Sequence, residues 1–257
     1  KEKKMKTVKV RNIELGSGIP KICVPIVAVT KNDILEQAMS LRSIPADIAE
    51  WRVDWYEDVF EMDTLIQTLS QVREALGDMP LLFTFRTKKE GGEKEISPES
   101  YAELNITAAA SGNTDLVDVE AFTGDEIVRK IIEKAHEHGV KVVASNHDFF
   151  KTPSKEEIIS RLVKMQDLGA DIPKIAVMPQ SKKDVLTLLS ATEEMYSQHA
   201  DRPIITMSMA GSGLISRLSG EVFGSALTFG AAKKASAPGQ IGVKELHEVL
   251  SIIHSGI

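Results

Sequence analysis

The chain predicts an α/β fold, a single (β/α)8 or TIM barrel, on three observations. Short apolar runs alternate with helical patterns along almost all of the sequence; the runs number eight, which is the count that closes a barrel; and no linker, low-complexity tract or composition shift divides the 257 residues. The expected strands lie near 22–28, 48–54, 81–86, 116–122, 140–146, 172–178, 204–209 and 227–231. Ahead of them, the polar alternation from Thr7 to Leu15 and the turn Gly16-Ser17-Gly18 are expected to form a β-hairpin that closes the bottom, N-terminal mouth of the barrel. One domain spanning 1–257 follows. The alternative, an open doubly wound sheet, calls for a glycine fingerprint at its first strand-to-helix turn, where this chain has Val27-Ala28-Val29-Thr30-Lys31. A Gly-rich phosphate loop ending in Lys-Ser or Lys-Thr is absent from the sequence.

Between the runs, helix boundaries are signalled by small polar residues and glycines. Ser154 with Glu157 reads as a capping box, Asp33 with Glu36, Ser97 before Pro98 and Ser181 before Asp184 mark further starts, and Gly77, Gly139 and Gly169 sit where helices should stop.

A hydrophobic content of 42% suffices for one large core, and a formal net charge of -6 offers no basic face to nucleic acid or to an anionic membrane. An anionic substrate would therefore need a local cluster of cations. Cys23 is the only cysteine, so the chain can form no internal disulfide, and a reducing cytoplasm is the expected setting. No apolar run approaches the roughly 20 residues that span a bilayer, so a soluble protein is expected.

Barrel chemistry gathers where strands end at the C-terminal face, so polar residues there are the ones to question. Glu50 and Arg52, two apart, turn toward one side of their strand, as a structural ion pair or as site residues. Arg86 closes the third run, where its fork of donors suits a carboxylate or several hydroxyls, and Glu90 follows in a loop with Gly91-Gly92 that reads equally as solvated. His147 ends the fifth run as a candidate proton carrier. His136 and His138 sit in the last turn of a helix pattern, where the helix dipole explains them without a metal. Lys174 places an amine near the start of a strand that should be buried, and desolvation would free such an amine to attack a carbonyl; Lys21 has almost the same setting, and spacing does not choose between them. Met207 and Met209 alternate on one strand, Arg217 follows, and 235–240 has the composition of a lid or of an ordinary loop.

Taken together, Glu-Trp-Arg-Val-Asp at 50–54, Phe-Thr-Phe-Arg at 83–86 with Glu90-Gly91-Gly92, Ser-Asn-His-Asp at 145–148, Pro-Lys-Ile-Ala at 173–176, Met207-Ser208-Met209, Ser216-Arg217 and Ser236-Ala237-Pro238-Gly239-Gln240 resemble the type I 3-dehydroquinate dehydratases over nearly the whole chain. The resemblance implies the third step of the shikimate route, a hydro-lyase in which Lys174 forms an imine with the substrate ketone, His147 moves the proton and Glu90 orients His147. It also implies that Arg217 holds the substrate carboxylate, that Glu50, Arg52, Arg86, Ser236 and Gln240 surround the other oxygens, and that Met207, Met209, Phe229 and Ala237 shape the pocket. It selects Lys174 over Lys21, expects no metal or other cofactor, and suggests a homodimer. Pro25, where the pattern has a small hydroxyl residue, and the glycine-rich 210–213 depart from it. Two rivals remain: a class I aldolase, whose phosphate grip would fall at Gly211-Ser212-Gly213, and a catalytically silent barrel that only binds a small acid.

Overall fold

A computed structural model describes residues 6–232 and 240–257. The opening alternation folds as an antiparallel pair, β1 (Val8–Val10) and β2 (Ile13–Leu15). Then β3 (Lys21–Ile26), α1 (Lys31–Leu41), β4 (Ile48–Arg52), α2 (Met62–Leu76), β5 (Leu81–Thr84), α3 (Pro98–Ala110), β6 (Leu116–Glu120) and α4 (Asp125–Glu137) follow in strict alternation. The second half runs β7 (Lys141–Asp148), α5 (Lys155–Asp167), β8 (Ile172–Val177), α6 (Lys182–Glu194), β9 (Ile205–Ser208), α7 (Leu214–Leu218), α8 (Gly220–Phe223), β10 (Leu227–Phe229) and α9 (Val243–Ser255). All eight expected strands are present. They form one parallel sheet in the order β10-β3-β4-β5-β6-β7-β8-β9, and a parallel bridge from Ile204 to Ser225 brings its two edges together into a nearly closed barrel.

A strand's period of two sorts the side chains into two clusters. Residues such as Val24, Trp51, Phe83, Val117, Val142 and Ile175 point outward and pack under the helices. The alternate positions point into the barrel, where Cys23, Ile48, Leu82, Leu116, Val143, Ile172, Ile205 and Leu227 build an apolar floor with Val8, Val10 and Leu15 of the hairpin. The hairpin thus plugs the N-terminal end, as expected, and Arg11 anchors it to Asp115 at 2.6 Å, just ahead of β6. Two residues further along, the inward positions of β4 to β8 become polar, with Glu50, Thr84, Asp118, Ser145 and Lys174, while β3, β9 and β10 place Pro25, Met207 and Phe229 beside them. Among the described residues, this tier faces the C-terminal mouth.

Several boundaries differ from the sequence reading. Helix α1 is capped by Thr30, whose hydroxyl accepts from the Asp33 amide, so Asp33 lies inside the helix. Ser154 does accept from the Glu157 amide, but the Glu157 carboxylate takes Arg161 instead of closing a box; the full reciprocal box is at Ser181 and Asp184. Asp54 falls in a 3-10 turn after β4, and Arg86 lies two residues beyond β5. His147 stays on β7, which is longer than expected. Gly213 has a packing reason: a Cβ there would sit 2.3 Å from the Ser208 carbonyl oxygen. No described helix is long and apolar enough to cross a membrane.

Because Leu15 is 0% exposed inside the floor, Leu15→Ala leaves a cavity and should cost about 2–5 kcal/mol in urea unfolding, against under about 0.5 kcal/mol for exposed Lys9→Ala on the same hairpin. Equal, small effects of the two would show that the hairpin does not seal the barrel.

Candidate active site

The polar tier is organised around two carboxylates that the sequence reading passed over, Asp118 and Glu120 of β6. Arg86 donates through Nη2 to Asp118 Oδ1 at 2.8 Å, and through Nη1 to Glu120 Oε1 and Ser145 Oγ at 3.0 Å each. Ser145 in turn donates to Asp118 Oδ1 at 2.6 Å, while Thr87 satisfies Glu120 through its amide and its hydroxyl. Lys174 Nζ reaches the other oxygen of Asp118 at 3.2 Å. Burial opposes the charge of Arg86, but Asp118, Glu120 and Glu90 outweigh it and hold the guanidinium well above its ordinary value. Asp118 shows the same contest: burial raises it, and Arg86, Lys174 and Ser145 bring it below the usual carboxylate range.

Lys174 is 3% exposed. Its ammonium nitrogen stands between Asp118 and the face of Phe229, whose ring centroid is 4.7 Å away. Lys21, its double in sequence, opens β3 at the opposite end of the barrel and donates to the Ile19 carbonyl at 3.3 Å. Tertiary position separates the two lysines where their local sequences do not.

Glu90 is buried, and the solvated alternative fails for it. Its loop turns back so tightly that a Cβ on Gly92 would lie 1.9 Å from the Arg86 carbonyl oxygen, and Gly91, at φ 88°, rests against Phe149. That turn aims Glu90 at β7. Glu90 Oε2 accepts from the His147 amide at 2.9 Å and lies 3.0 Å from His147 Nδ1, and Oε1 accepts from Asn146 Nδ2 at 3.2 Å. Burial first, and Glu120 second, push the Glu90 carboxyl up to about 8. Burial, with the positive charges of Arg86, Lys174 and Arg52, pulls the His147 imidazole well below its ordinary value. Near neutrality the pair therefore keeps an uncharged imidazole beside a carboxyl group that holds its proton; when that proton leaves, the carboxylate can accept from Nδ1–H and Nε2 is a free base.

A cleft of about 480 Å³ opens above this tier and is bordered by Lys174, His147 and Glu90, together with Arg86, Met207 and Met209. Phe229, Gln240, Glu50 and Arg52 also line it. Glu50 and Arg52 are not paired with each other: Glu50 accepts from Thr84 Oγ1 at 3.0 Å, and Arg52 grips Asp54 through two hydrogen bonds of 2.8 Å. Arg217 lies behind Met207, with Nη1 3.6 Å from the Met207 sulfur, is 1% exposed, and is brought down to about 10 by burial. It does not line the cleft formed by the described residues. Ser236 and Ala237, and most of the expected lid, lie outside the described residues. His136 pairs with Asp171 at 2.7 Å, and the described residues include no group of three or more His, Cys, Asp or Glu arranged to hold a metal ion.

Residues 22–257 match the family model for type I 3-dehydroquinase. The chain is 58% identical over 250 residues to the 3-dehydroquinate dehydratase of Clostridium botulinum, covering 97% of this chain and 98% of that protein, and 56% identical to the one of Salmonella agona over 97% and 99%. Among solved structures, type I 3-dehydroquinate dehydratase from Clostridium difficile, with covalently modified comenic acid, superimposes with a TM-score of 0.96 at 56% identity, over 98% of this chain and 100% of that one. The 3-dehydroquinate dehydratase of Geobacillus kaustophilus gives 0.94 at 38% identity over 99% of each chain.

The raised Glu90 carboxyl has a signature in stability. Between the ordinary 4.5 and about 8 the folded state holds a proton that the unfolded state has released, so the stabilisation present below this window is lost as pH rises through it. Glu90→Gln, uncharged throughout, lacks that slope. The variant should gain on the parent by a few kcal/mol, in order of magnitude, from pH 4.5 to 8 in thermal melts; a gap independent of pH would show that the carboxyl is not raised.

Proposed function

The chain belongs to the type I 3-dehydroquinase family, and from that premise we propose that it removes water from 3-dehydroquinate to give 3-dehydroshikimate, the third step of the shikimate route to chorismate and the aromatic amino acids. The observation that carries this reading is a buried amine, Lys174, on the wall of the same cleft as a part-buried imidazole, His147. Residues 1–257 act as one catalytic domain.

Lys174 adds to the ketone, and loss of water from the adduct leaves a protonated imine. The imine withdraws electrons from the neighbouring carbon, so a base of ordinary strength suffices to take its proton. His147 takes that proton, and the electron pair it leaves behind moves through an enamine to expel the hydroxyl group, which departs as water with the proton from His147. A second water hydrolyses the product imine and returns the amine, so the net change is the loss of one water. Glu90 holds His147 by its amide and its Nδ1.

Arg217 is assigned to the substrate carboxylate, with Glu50, Arg52, Arg86, Ser236 and Gln240 around the remaining oxygens, and Met207, Met209, Phe229 and Ala237 as pocket walls. For Arg217 this requires the substrate to reach past Met207, against which the guanidinium now lies. For Arg52 and Arg86 the support is their place on the cleft; their carboxylate partners fix them rather than leave them as loose donors. The side chains alone supply the chemistry, without a metal or other cofactor. The enzyme works as a cytoplasmic homodimer, a setting consistent with its one buried cysteine.

Borohydride added during turnover of 3-dehydroquinate should fix an adduct on the peptide that carries Lys174. Lys174→Met should abolish both adduct and turnover, and His147→Ala should still form the adduct while losing most turnover; labelling of Lys21, or parent-rate dehydration by Lys174→Met, ends the reading. Sedimentation at micromolar concentration should give twice the 28.1 kDa chain mass, and a single-chain mass would remove the dimer.

A further inference from the structure

We propose that Asp118 is a positioning residue for Lys174, the fixed counter-charge that holds its nitrogen in place and stabilises it in each cationic state, the ammonium and the protonated imine. The proposal rests on the imine reading above and adds to it a residue that the sequence pattern did not single out.

The geometry divides the carboxylate. Oδ1 is occupied by Arg86 at 2.8 Å and Ser145 at 2.6 Å, which leaves Oδ2 to Lys174 at 3.2 Å. Asp118 is 0% exposed, and its backbone is tied down as well, its carbonyl accepting from Tyr101 Oη at 3.2 Å. With the Phe229 ring on another side of the nitrogen, β6, β8 and β10 together fix one atom.

Charge accounting shows what a fixed anion does there. An ammonium and a ketone give a protonated imine and one water, so the nitrogen is cationic before and after and no net proton goes to solvent. When His147 removes the neighbouring carbon's proton, the enamine nitrogen is neutral and the positive charge moves to the imidazole; loss of the hydroxyl with that proton restores the cationic imine. Asp118 thus favours the imine over the enamine. Arg86 and Ser145 limit that bias by drawing on the same carboxylate, so that proton removal stays accessible. Besides Arg86, the titratable groups that interact with this pair are His147 on β7 with Lys174, Tyr101 on α3 with Asp118, and Cys23 on β3 with both, while Glu50 and Arg52 on β4 line the same cleft as Lys174.

The test follows borohydride trapping of Lys174 with 3-dehydroquinate across pH, together with kcat and KM, in the full chain. Asp118→Asn should lower kcat at least about tenfold with KM within about threefold, and move the midpoint of trapping roughly one unit toward lower pH, because the amine has lost its counter-charge. Ser145→Ala removes a hydrogen bond but no charge; it leaves the carboxylate more negative toward Lys174 and should move the midpoint the other way, by about half a unit. A purely structural role would lower melting temperatures and leave both midpoints in place. Unmoved midpoints, or shifts in the same direction, overturn the assignment, and if Asp118→Asn does not fold, Ser145→Ala alone decides by the same criterion. A parent enzyme that traps normally beside unmoved variants defeats only Asp118; a parent that traps no substrate at Lys174 defeats the imine reading and this proposal with it.

Discussion

Buried charge is tolerated where opposite charges and hydrogen bonds compensate it, and this constraint shapes the upper interior of the molecule. Asp118 is its centre, since it joins Arg86, Ser145 and Lys174 from three other strands or their ends. Removing one charged member of such a group leaves a buried charge uncompensated, at a cost of about 3–5 kcal/mol. Lys174 therefore sits in a lattice whose members hold one another in place.

That lattice needs a dry floor and a single opening. The floor is apolar on every strand, and the hairpin covers it from below through Val8, Val10 and Leu15. Outward positions are meanwhile filled by residues that bind the helices, such as Trp51 against Phe83 at 6.1 Å between ring centroids. Polar inward residues are left with one direction in which to face a ligand, the C-terminal mouth. The cleft follows from the alternation of two apolar surfaces and one polar tier along the same short strands.

The alternation itself was legible in the sequence, which is why strand count and hairpin could be read from it. What links the strands was not. Glu50 and Arg52 stood out by their spacing, yet the partner of Arg52 is Asp54, brought round by a 3-10 turn that no period announces. Asp118 and Glu120 carry the same spacing of two in Leu-Val-Asp-Val-Glu and could have been questioned by the same rule; read alone, the run resembles an ordinary half-exposed strand. Glu90 had no local signal, because its burial depends on a loop folding over Arg86 and meeting β7 from a distance of 57 positions. Lys21 and Lys174 show the limit most clearly: their neighbours along the chain match, and only their opposite ends of the barrel distinguish them. The resemblance to a family made that choice where physical reading of the sequence left it open.

The two carboxylates beside Lys174 and His147 are set in opposite ways by burial and by their charged neighbours. Arg86 touches Asp118 at 2.8 Å but stands 3.9 Å from Glu90, which also faces the repulsion of Glu120. Asp118 is held below its ordinary value and Glu90 is raised to about 8. Lys174 therefore has an anion that does not change, whereas His147 has a neighbour that can gain and lose a proton near neutrality. In the proposed dehydration, a nitrogen that returns to the same positive charge is served by a constant partner, and an imidazole that accepts and then donates is served by one that can adjust.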